Sequence, residues 1–252
     1  MVYKRALGAL AVWSVALLGS SSLAHAMPTY SISAEGLSNA QSAEQTFLNG
    51  YSSFITETFN SGYTLGLQQT SISSQSGQAT FTSVTPGANG LCDATKGSYS
   101  YKCDKGLAVL DKDASPFNGR FGVAPYGPGN NWLDSMDAQE LRIDLTGGYR
   151  GIGFYMTDPN DADGRFDIGS PSGEVTSFYF NDIFGKDLGN KKVYYISLFD
   201  QNGIDSFSIF SNHEDDGYGI DNFSLAMVPE PGTLGLFGIG LLGLGMARRR
   251  IR

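Results

Sequence analysis

The chain has 252 residues and a formal net charge of −8 at pH 7, with 33 glycines, 12% aromatic residues and two cysteines. Residues 27–227 are more acidic still, because they contain 11 basic and 24 acidic residues, a net charge of −13. Such a surface repels nucleic acid phosphates, which argues against DNA or RNA binding. About 200 residues suit one domain with a substantial core.

The first 26 residues have the pattern of a secretory signal peptide. Lys4 and Arg5 form a positive start, residues 6–18 are apolar, and Ala24-His25-Ala26 is a small-x-small cleavage site. A segment of this kind directs export and is then removed. We therefore expect the mature chain to begin near Met27. An uncleaved anchor is the alternative.

One helix is predicted near the mature N-terminus, followed by a series of short strands. Ser38 to Gln41 has capping-box spacing, and Ala43, Phe47 and Leu48 follow at helical intervals. After Gly50 the apolar period changes to two, with Gly, Asn, Asp and Ser clusters between the segments. The predicted strands are 54–59, 64–72, 78–84, 107–110, 140–145, 151–157, 174–181, 192–199, 205–210 and 220–226. This pattern predicts an all-β fold, a β-sandwich or jelly roll with one short helix, over residues 27–227.

The cysteines, Cys92 and Cys103, lie eleven residues apart in the chain. An isolated pair in an exported protein most simply forms a disulfide, here one that closes a short surface loop. A metal site is disfavoured, because neither a CxxC pair nor a nearby histidine is present.

The segment 124–132 is rich in glycine, proline and asparagine and contains Tyr126 and Trp132. Binding residues concentrate on loops, and aromatic side chains with a polar tip often stack on ligands there. We therefore predict Tyr126 and Trp132 as carbohydrate-binding residues. The alternative is that these aromatic residues belong to an ordinary sandwich core.

An acidic segment follows, with Asp158, Asn160, Asp161 and Asp163 ahead of Gly164. Closely spaced oxygen ligands followed by glycine suit a hard cation such as Ca²⁺, which predicts a structural calcium site. The segment departs from the EF-hand loop, because Ala162 interrupts the series and no glutamate stands at the twelfth position. The alternative is a solvated turn, since Asp, Asn and Gly are common turn residues.

The chain ends with Pro229, Glu230 and Pro231, an uncharged run over residues 232–247, and a cluster formed by Arg248, Arg249 and Arg250. The prolines interrupt any strand or helix. As a helix the run would span roughly 24 Å, short of a hydrocarbon core of about 30 Å, and the arginines would remain cytoplasmic. We predict a short transmembrane helix that anchors the protein stably or transiently. The alternative, a buried core helix, is disfavoured by six glycines in sixteen residues.

In order and spacing, residues 228–252 resemble the PEP-CTERM sorting tail of secreted bacterial proteins. This resemblance implies processing by an exosortase, a membrane-embedded enzyme, and transfer to the cell surface or the extracellular polysaccharide. Segments 154–158 and 216–223 are similar to ones found in PEP-CTERM proteins of unassigned function. The strand 219–225 also resembles the closing strand of galactose-binding-like jelly rolls. That second resemblance implies Asp221, together with Glu57, as ligands of a structural calcium, whereas a loop-capping role for Asp221 is the alternative.

These observations predict an exported, non-catalytic protein of the cell surface or extracellular matrix, with carbohydrate as the expected ligand. His213 is the one histidine of the mature chain, which excludes a multi-histidine zinc site, and no Gly-x-Ser-x-Gly elbow supports a Ser-His-Asp triad. Two alternatives stay open. One is a secreted polysaccharide hydrolase that uses paired carboxylates, with Glu57, Glu140 and Glu174 as candidates. The other is a purely structural matrix component.

Overall fold

The computed structural model describes residues 27–85, 94–96, 99–101, 106–111, 120–123, 130–159, 164–183, 192–212 and 217–227. The predicted signal peptide, the Cys92–Cys103 disulfide and the C-terminal transmembrane helix lie outside these residues and stay predictions. Among the residues described, none of the helices is both long enough and apolar enough to span a membrane.

The described elements are almost all β-strands. In chain order they are β1 (Thr29–Ile32), α1 (Leu37–Asn49), β2 (Ser53–Glu57), β3 (Ser71–Ser73), β4 (Ala79–Thr85), β5 (Ala94–Lys96), β6 (Tyr99–Tyr101), β7 (Ala108–Leu110), β8 (Trp132–Asp134), β9 (Glu140–Thr157), β10 (Arg165–Gly169), β11 (Val175–Tyr179), α2 (Phe180–Ile183), β12 (Val193–Phe210) and β13 (Gly219–Met227). All strands pair antiparallel. Eleven of them form one sheet, and β5 pairs with β6 alone.

Two strands of 18 residues, β9 and β12, connect the layers of the fold. The sequence predicted each as two separate strands, because glycines near their middles resemble turn signals. The backbone instead continues through irregular pairing between Phe199 and Ser206, with Gly203 at a φ of 99°. Glycine tolerates this left-handed conformation, so each strand bends without ending.

The bends divide the eleven-stranded sheet into two layers. The first half of β9 and the second half of β12 lie in a front sheet with the order β3-β4-β9-β12-β10-β11. The other halves lie in a back sheet with the order β1-β12-β9-β13, in which β13 also pairs with β2 and with the β8-β7 pair. The predicted all-β sandwich is confirmed.

Aromatic side chains fill the space between the two sheets. The ring centroids of Phe81 and Phe223 are 5.2 Å apart, and Phe154 lies 5.5 Å from Phe207 and 6.1 Å from Phe166. Each of these contacts joins a front-sheet strand to a back-sheet strand. All five rings are almost fully buried, and burying one such side chain stabilises the fold by about 1.5–3 kcal/mol.

Helix α1 covers the outer face of the back sheet. The predicted capping box is wrong, because the N-cap is Gly36, with a φ of 104°, and no side chain caps the helix. Ser38 lies inside the first turn, where its carbonyl accepts a hydrogen bond from Ser42 Oγ at 2.9 Å. Phe47 packs on Tyr195 with ring centroids 6.0 Å apart.

Some strand boundaries also differ from the prediction. Of the predicted strand 64–72, only its end belongs to a strand, namely β3. Strands β1, β5, β6, β8 and β10 were not predicted. Strand β10 begins at Arg165, directly after the acidic segment, and pairs on both sides with β11 and β12. The predicted calcium segment therefore lies in the connection from β9 to β10, two strands that β12 separates in the sheet.

Candidate functional site

The solvent side of the front sheet carries a continuous array of hydroxyl and charged side chains. Strand alternation turns Phe166 and Ile168 of β10 toward the core and leaves their neighbours on the outer side. We call this outer surface the front face. Its side chains belong to Ser71, Ser73, Thr80, Thr82, Glu140, Arg142, Asp144, Arg165, Asp167, Val175, Ser177, Tyr179, Ser206, Ser208 and Phe210.

One row of the front face combines aromatic rings with a guanidinium group. Arg165 is the direct cross-strand partner of both Tyr179 and Phe210, and Phe210 is the partner of Glu140. The Arg165 Cζ lies 3.9 Å from the centroid of the Phe210 ring, a cation–π contact. Tyr179 is 55% exposed, so its ring is accessible from solvent.

The adjacent row holds the Arg165 guanidinium in place. Arg165 Nε donates to Asp167 Oδ1 at 3.0 Å, and Ser177 Oγ donates to the same oxygen at 2.6 Å. Both described bonds from Arg165 to Asp167 use Nε. The terminal nitrogens can therefore serve a ligand, while the carboxylate and the Phe210 ring fix the orientation of the guanidinium plane.

A second ion pair lies across the sheet from the first. Arg142 Nε donates to Asp144 Oδ1 at 2.8 Å, and both side chains are about half exposed. Exposed pairs of this kind contribute little to stability. Ser208 lies between Asp167 and Arg142 in the same row and adds a hydroxyl group. The front face thus offers ring surface, cationic donors, carboxylate acceptors and hydroxyl groups on one side of a single sheet.

Of the two residues predicted to bind sugar, the described one, Trp132, does not lie on the front face. Tyr126 is outside the described residues. Trp132 is on β8 with no exposed surface, and its Nε1 donates to the carbonyl of Asp111 at 3.1 Å. A fully buried ring cannot stack on a sugar, so the carbohydrate-binding prediction for Trp132 is wrong. Trp132 is a core residue whose polar atom has an internal partner.

Asp221 is buried on β13 and is surrounded by hydrogen-bond donors. Its Oδ2 accepts bonds from the Val123 amide and from Asn130 Nδ2, each at 3.1 Å, and its Oδ1 accepts one from the Asn222 amide at 2.8 Å. Burial raises the pKa of Asp221 to about 8, although the hydrogen bonds from Asn130, Asn222 and Val123 act in the opposite direction.

This donor set does not fit a calcium ligand, because a hard cation needs oxygen atoms at the positions that N–H groups occupy around Asp221. Of the other ligands predicted in the acidic segment, the described one, Asp158, is not brought to Asp221 either. Tyr155 is the cross-strand partner of Asp221, and Asp158 lies three residues further along, roughly 10 Å away. Asn160, Asp161 and Asp163 lie outside the described residues. Within the described part of the chain, no three Asp, Glu, His or Cys side chains form a metal cluster.

A second buried carboxylate, Glu44, joins α1 to the same region. Its Oε1 accepts a bond from Asn222 Nδ2 at 3.0 Å, and its Oε2 accepts one from Tyr155 Oη at 2.7 Å. Asn222 adopts a φ of 45°, which places both its backbone and its side chain between the two acids. The sequence analysis did not identify Glu44, because a glutamate in an amphipathic helix is usually exposed.

A buried ion cluster lies at the β8 end of the back sheet. Arg120 Nη1 is 2.6 Å from Asp137 Oδ1 and 3.6 Å from Asp134 Oδ1, and all three side chains are buried. Burial raises the pKa of Asp134 to about 6, while the Arg120 charge opposes that rise. Asp137 has a φ of 62°, and a Cβ added at Gly217 would collide with Arg120. The cluster is enclosed, which indicates a structural role.

The three candidate glutamates for hydrolysis do not form a pair suited to catalysis: Glu57 is engaged in a buried turn, and Glu140 and Glu174 are far apart. Glu57 is buried, and its two oxygens accept bonds from the amides of Phe59 and Gln75, which holds a turn. Glu140 lies on the front face, and Glu174 precedes β11, three strands away. Three strand spacings amount to about 14 Å, beyond the roughly 5–9.5 Å that separates paired catalytic carboxylates.

The comparisons with known proteins identify the C-terminal tail. The model of the PEP-CTERM protein-sorting motif matches residues 228–250, which confirms the predicted sorting tail. The motif marks the chain for export, transient membrane anchoring and exosortase cleavage, followed by the cell surface or extracellular space. Among curated proteins no significant match is found.

Several solved structures show weak similarity to this chain. The K2 cleaved adhesin domain of Lys-gingipain is 12% identical with a TM-score of 0.29, covering 54% of this chain and 97% of that one. The CBM22-1 xylan-binding domain of Paenibacillus barcinonensis Xyn10C is 14% identical with a TM-score of 0.27, covering 59% and 99%. A family 11 carbohydrate-binding module from Clostridium thermocellum is 16% identical with a TM-score of 0.22, covering 59% and 99%. Similarity at this level does not identify a ligand for this chain.

Proposed function

We propose that this exported protein binds a polysaccharide of the cell surface or extracellular matrix through its front face, without catalysing a reaction. The observation that carries the proposal is the row formed by Tyr179, Arg165 and Phe210, with Asp167 beside it. An exposed ring next to a fixed guanidinium and a carboxylate is the combination that binds the apolar face and the hydroxyl groups of one sugar.

The shape of the front face favours an extended chain over a single sugar. The front sheet has six strands, so the distance from β11 to β3 is about 24 Å at a spacing of about 4.8 Å. In the adjacent row, hydroxyl groups of Ser208, Thr82 and Ser71 continue from Asp167 across this width. A polysaccharide lying across the strands would meet donors and acceptors along its whole length.

Charge favours a neutral polysaccharide. The front face has two arginines and three acidic residues, and residues 27–227 carry a net charge of −13. An anionic polymer would therefore be repelled by the domain as a whole. We expect chains of neutral hexose or pentose units to bind more tightly than polyuronic or sulfated chains.

Binding is favoured over hydrolysis because the described glutamates are not paired across a cleft. Glu140 is the single described glutamate of the front face, and Arg165 is paired with an aspartate of the adjacent row, Asp167. A structural matrix component without a ligand remains the competing possibility, and it predicts that no polysaccharide binds.

The test uses the exported protein purified from cells and a panel of soluble polysaccharides in affinity electrophoresis and isothermal titration calorimetry. We expect R165A and Y179A each to raise the Kd at least about tenfold, because each removes a central contact. The matched control is K192A, which removes one positive charge near the start of α1, where Lys192 pairs with Glu35. Absence of binding to every neutral polysaccharide, or equal Kd values for R165A, Y179A and K192A, would contradict the proposal.

A further inference from the structure

A pocket lies beside the predicted mature N-terminus, at the edge of the sandwich where β12 bends. Its lining includes the first two residues of the described chain, the β10–β11 turn and the bend of β12, namely Met27, Pro28, Ser170, Glu174, Asp200 and Asn202. The pocket therefore joins three segments that are distant in sequence. It is separate from the front face and from the buried clusters around Asp221 and Arg120.

Strand pairing places the N-terminus against a carboxylate. Thr29 of β1 is the partner of Phe199 on β12, so continuing the antiparallel register brings Pro28 opposite Asp200. Asp200 is only 2% exposed, and its Oδ1 accepts a bond from the Asn202 amide at 2.8 Å. Glu174 provides a second carboxylate, and the described lining contains no lysine, arginine or histidine.

We propose that this pocket is a binding site for the α-ammonium group that export creates on Met27. Signal peptidase hydrolyses the Ala26–Met27 bond, so that the water oxygen becomes the second carboxylate oxygen of Ala26 and both water protons end on the Met27 nitrogen. Before cleavage that nitrogen is a neutral amide. After cleavage it is a cation beside Asp200 and Glu174, and a charge-assisted hydrogen bond to a buried carboxylate is stronger than a neutral one.

The ammonium group would hold the edge strand β1 against the rest of the sandwich. It would also tie β1 to the β10–β11 hairpin, because Glu174 lies at the end of the turn that closes that hairpin, where Ser170 N donates to Glu174 O at 2.9 Å. Removal of the signal peptide thus completes the fold as well as releasing the chain. The inference depends on cleavage after Ala26 and not on the polysaccharide proposal.

The experiment moves the ammonium group without changing the pocket. Gly-Ser-Gly is inserted between Ala26 and Met27, so that cleavage after Ala26 leaves the new terminus about 10 Å further along the chain. Native and extended proteins are purified after export, and intact mass and N-terminal sequencing establish where each begins. The Tm is then measured for each protein alone and combined with D200N, E174Q or the control D205N, which removes an exposed aspartate from β12.

We expect the extended protein to melt about 2–4 °C below the native one, the shift of a modest interaction in a domain of this size. D200N and E174Q should lower the Tm of the native protein more than that of the extended protein, whereas D205N should affect both equally. Because Glu174 is exposed, E174Q should fold even where D200N does not. Equal Tm values for native and extended proteins, equal effects of E174Q in both, or a mature terminus other than Met27 would overturn the proposal.

Discussion

Replacing Asp221 by asparagine should remove a specific pH dependence from the stability of the domain. Asp221 is 1% exposed, and its surroundings raise its pKa from 3.8 to about 8. Between these values the unfolded chain has lost the proton and the folded chain keeps it. Stability from this group is therefore complete below pH 4 and is lost as the pH rises toward 8.

The size of the effect follows from the shift. Each pH unit between the two pKa values costs about 1.4 kcal/mol, so the full shift of about four units corresponds to a loss on the order of 5 kcal/mol. The pKa of Asp134 is raised to about 6, so this residue adds a similar pH dependence to the free energy of unfolding only below pH 6. The window from pH 6 to 7.5 therefore separates the contribution of Asp221 from that of Asp134, and the difference between D221N and the original protein assigns it.

The assay is urea unfolding at constant temperature, with the free energy of unfolding extrapolated to water at several pH values. The original protein should lose about 1.4 kcal/mol per pH unit in this window, and D221N should lose that much less per unit than the original protein. D205N is the matched control and should keep the original slope. An identical slope for D221N and the original protein would refute the reasoning. It would show that the N–H groups of Val123, Asn130 and Asn222 keep Asp221 ionised despite its burial.

Two further perturbations test the packing and the acidic segment. In G153A the new Cβ would lie 2.2 Å from Tyr195 Oη and 2.8 Å from the Phe47 ring, so we expect a loss of about 1–3 kcal/mol in thermal unfolding. G148A is the control, since nothing lies within 4 Å of its Cβ, and equal Tm values for the two variants would contradict the packing described. If residues 158–163 bind calcium, chelation should lower the Tm, and Ca²⁺ but not Mg²⁺ should restore it. An unchanged Tm after chelation would refute the predicted calcium site.

The sequence was a good guide to the fold, because strand alternation is a local signal. Segments 78–84 and 220–226 were recognised almost to the residue as β4 and β13. The sequence did not predict that β9 is continuous, because two adjacent glycines, Gly147 and Gly148, are typical of a turn. In the structure they lie at the bend of β9 between the two layers. Whether glycine ends a strand or bends it depends on the partner strand, and a single sequence does not contain that information.

The candidate site was harder to predict for a related reason. Arg165 and Asp167 follow directly after the segment predicted to bind calcium and were not predicted as site residues, yet they are two positions apart on β10 and therefore share the front face. Their aromatic neighbours, Tyr179 and Phe210, come from two other strands and meet them only through sheet register. The residues before Trp132 have the composition of a binding loop, but Trp132 itself belongs to β8, which pairs with β7 and β13, and it is buried there. In each case the pairing of strands that are distant in sequence determines which side chains are brought together and which are buried.

The position of the last strand also limits how the protein sits before release. Met227 ends β13, which lies inside the back sheet, and the apolar run begins at Gly232, only five residues on. Five residues reach at most about 18 Å, so a chain still held by its tail must rest almost against the bilayer. Ala226, Gly151, Phe199 and Thr29 are aligned across the sheet, so the start of the mature chain shares that end. The sorting tail and the predicted start of the mature chain therefore leave the back sheet at the same end, and Asp158, which follows the last residue of β9, lies at the opposite end.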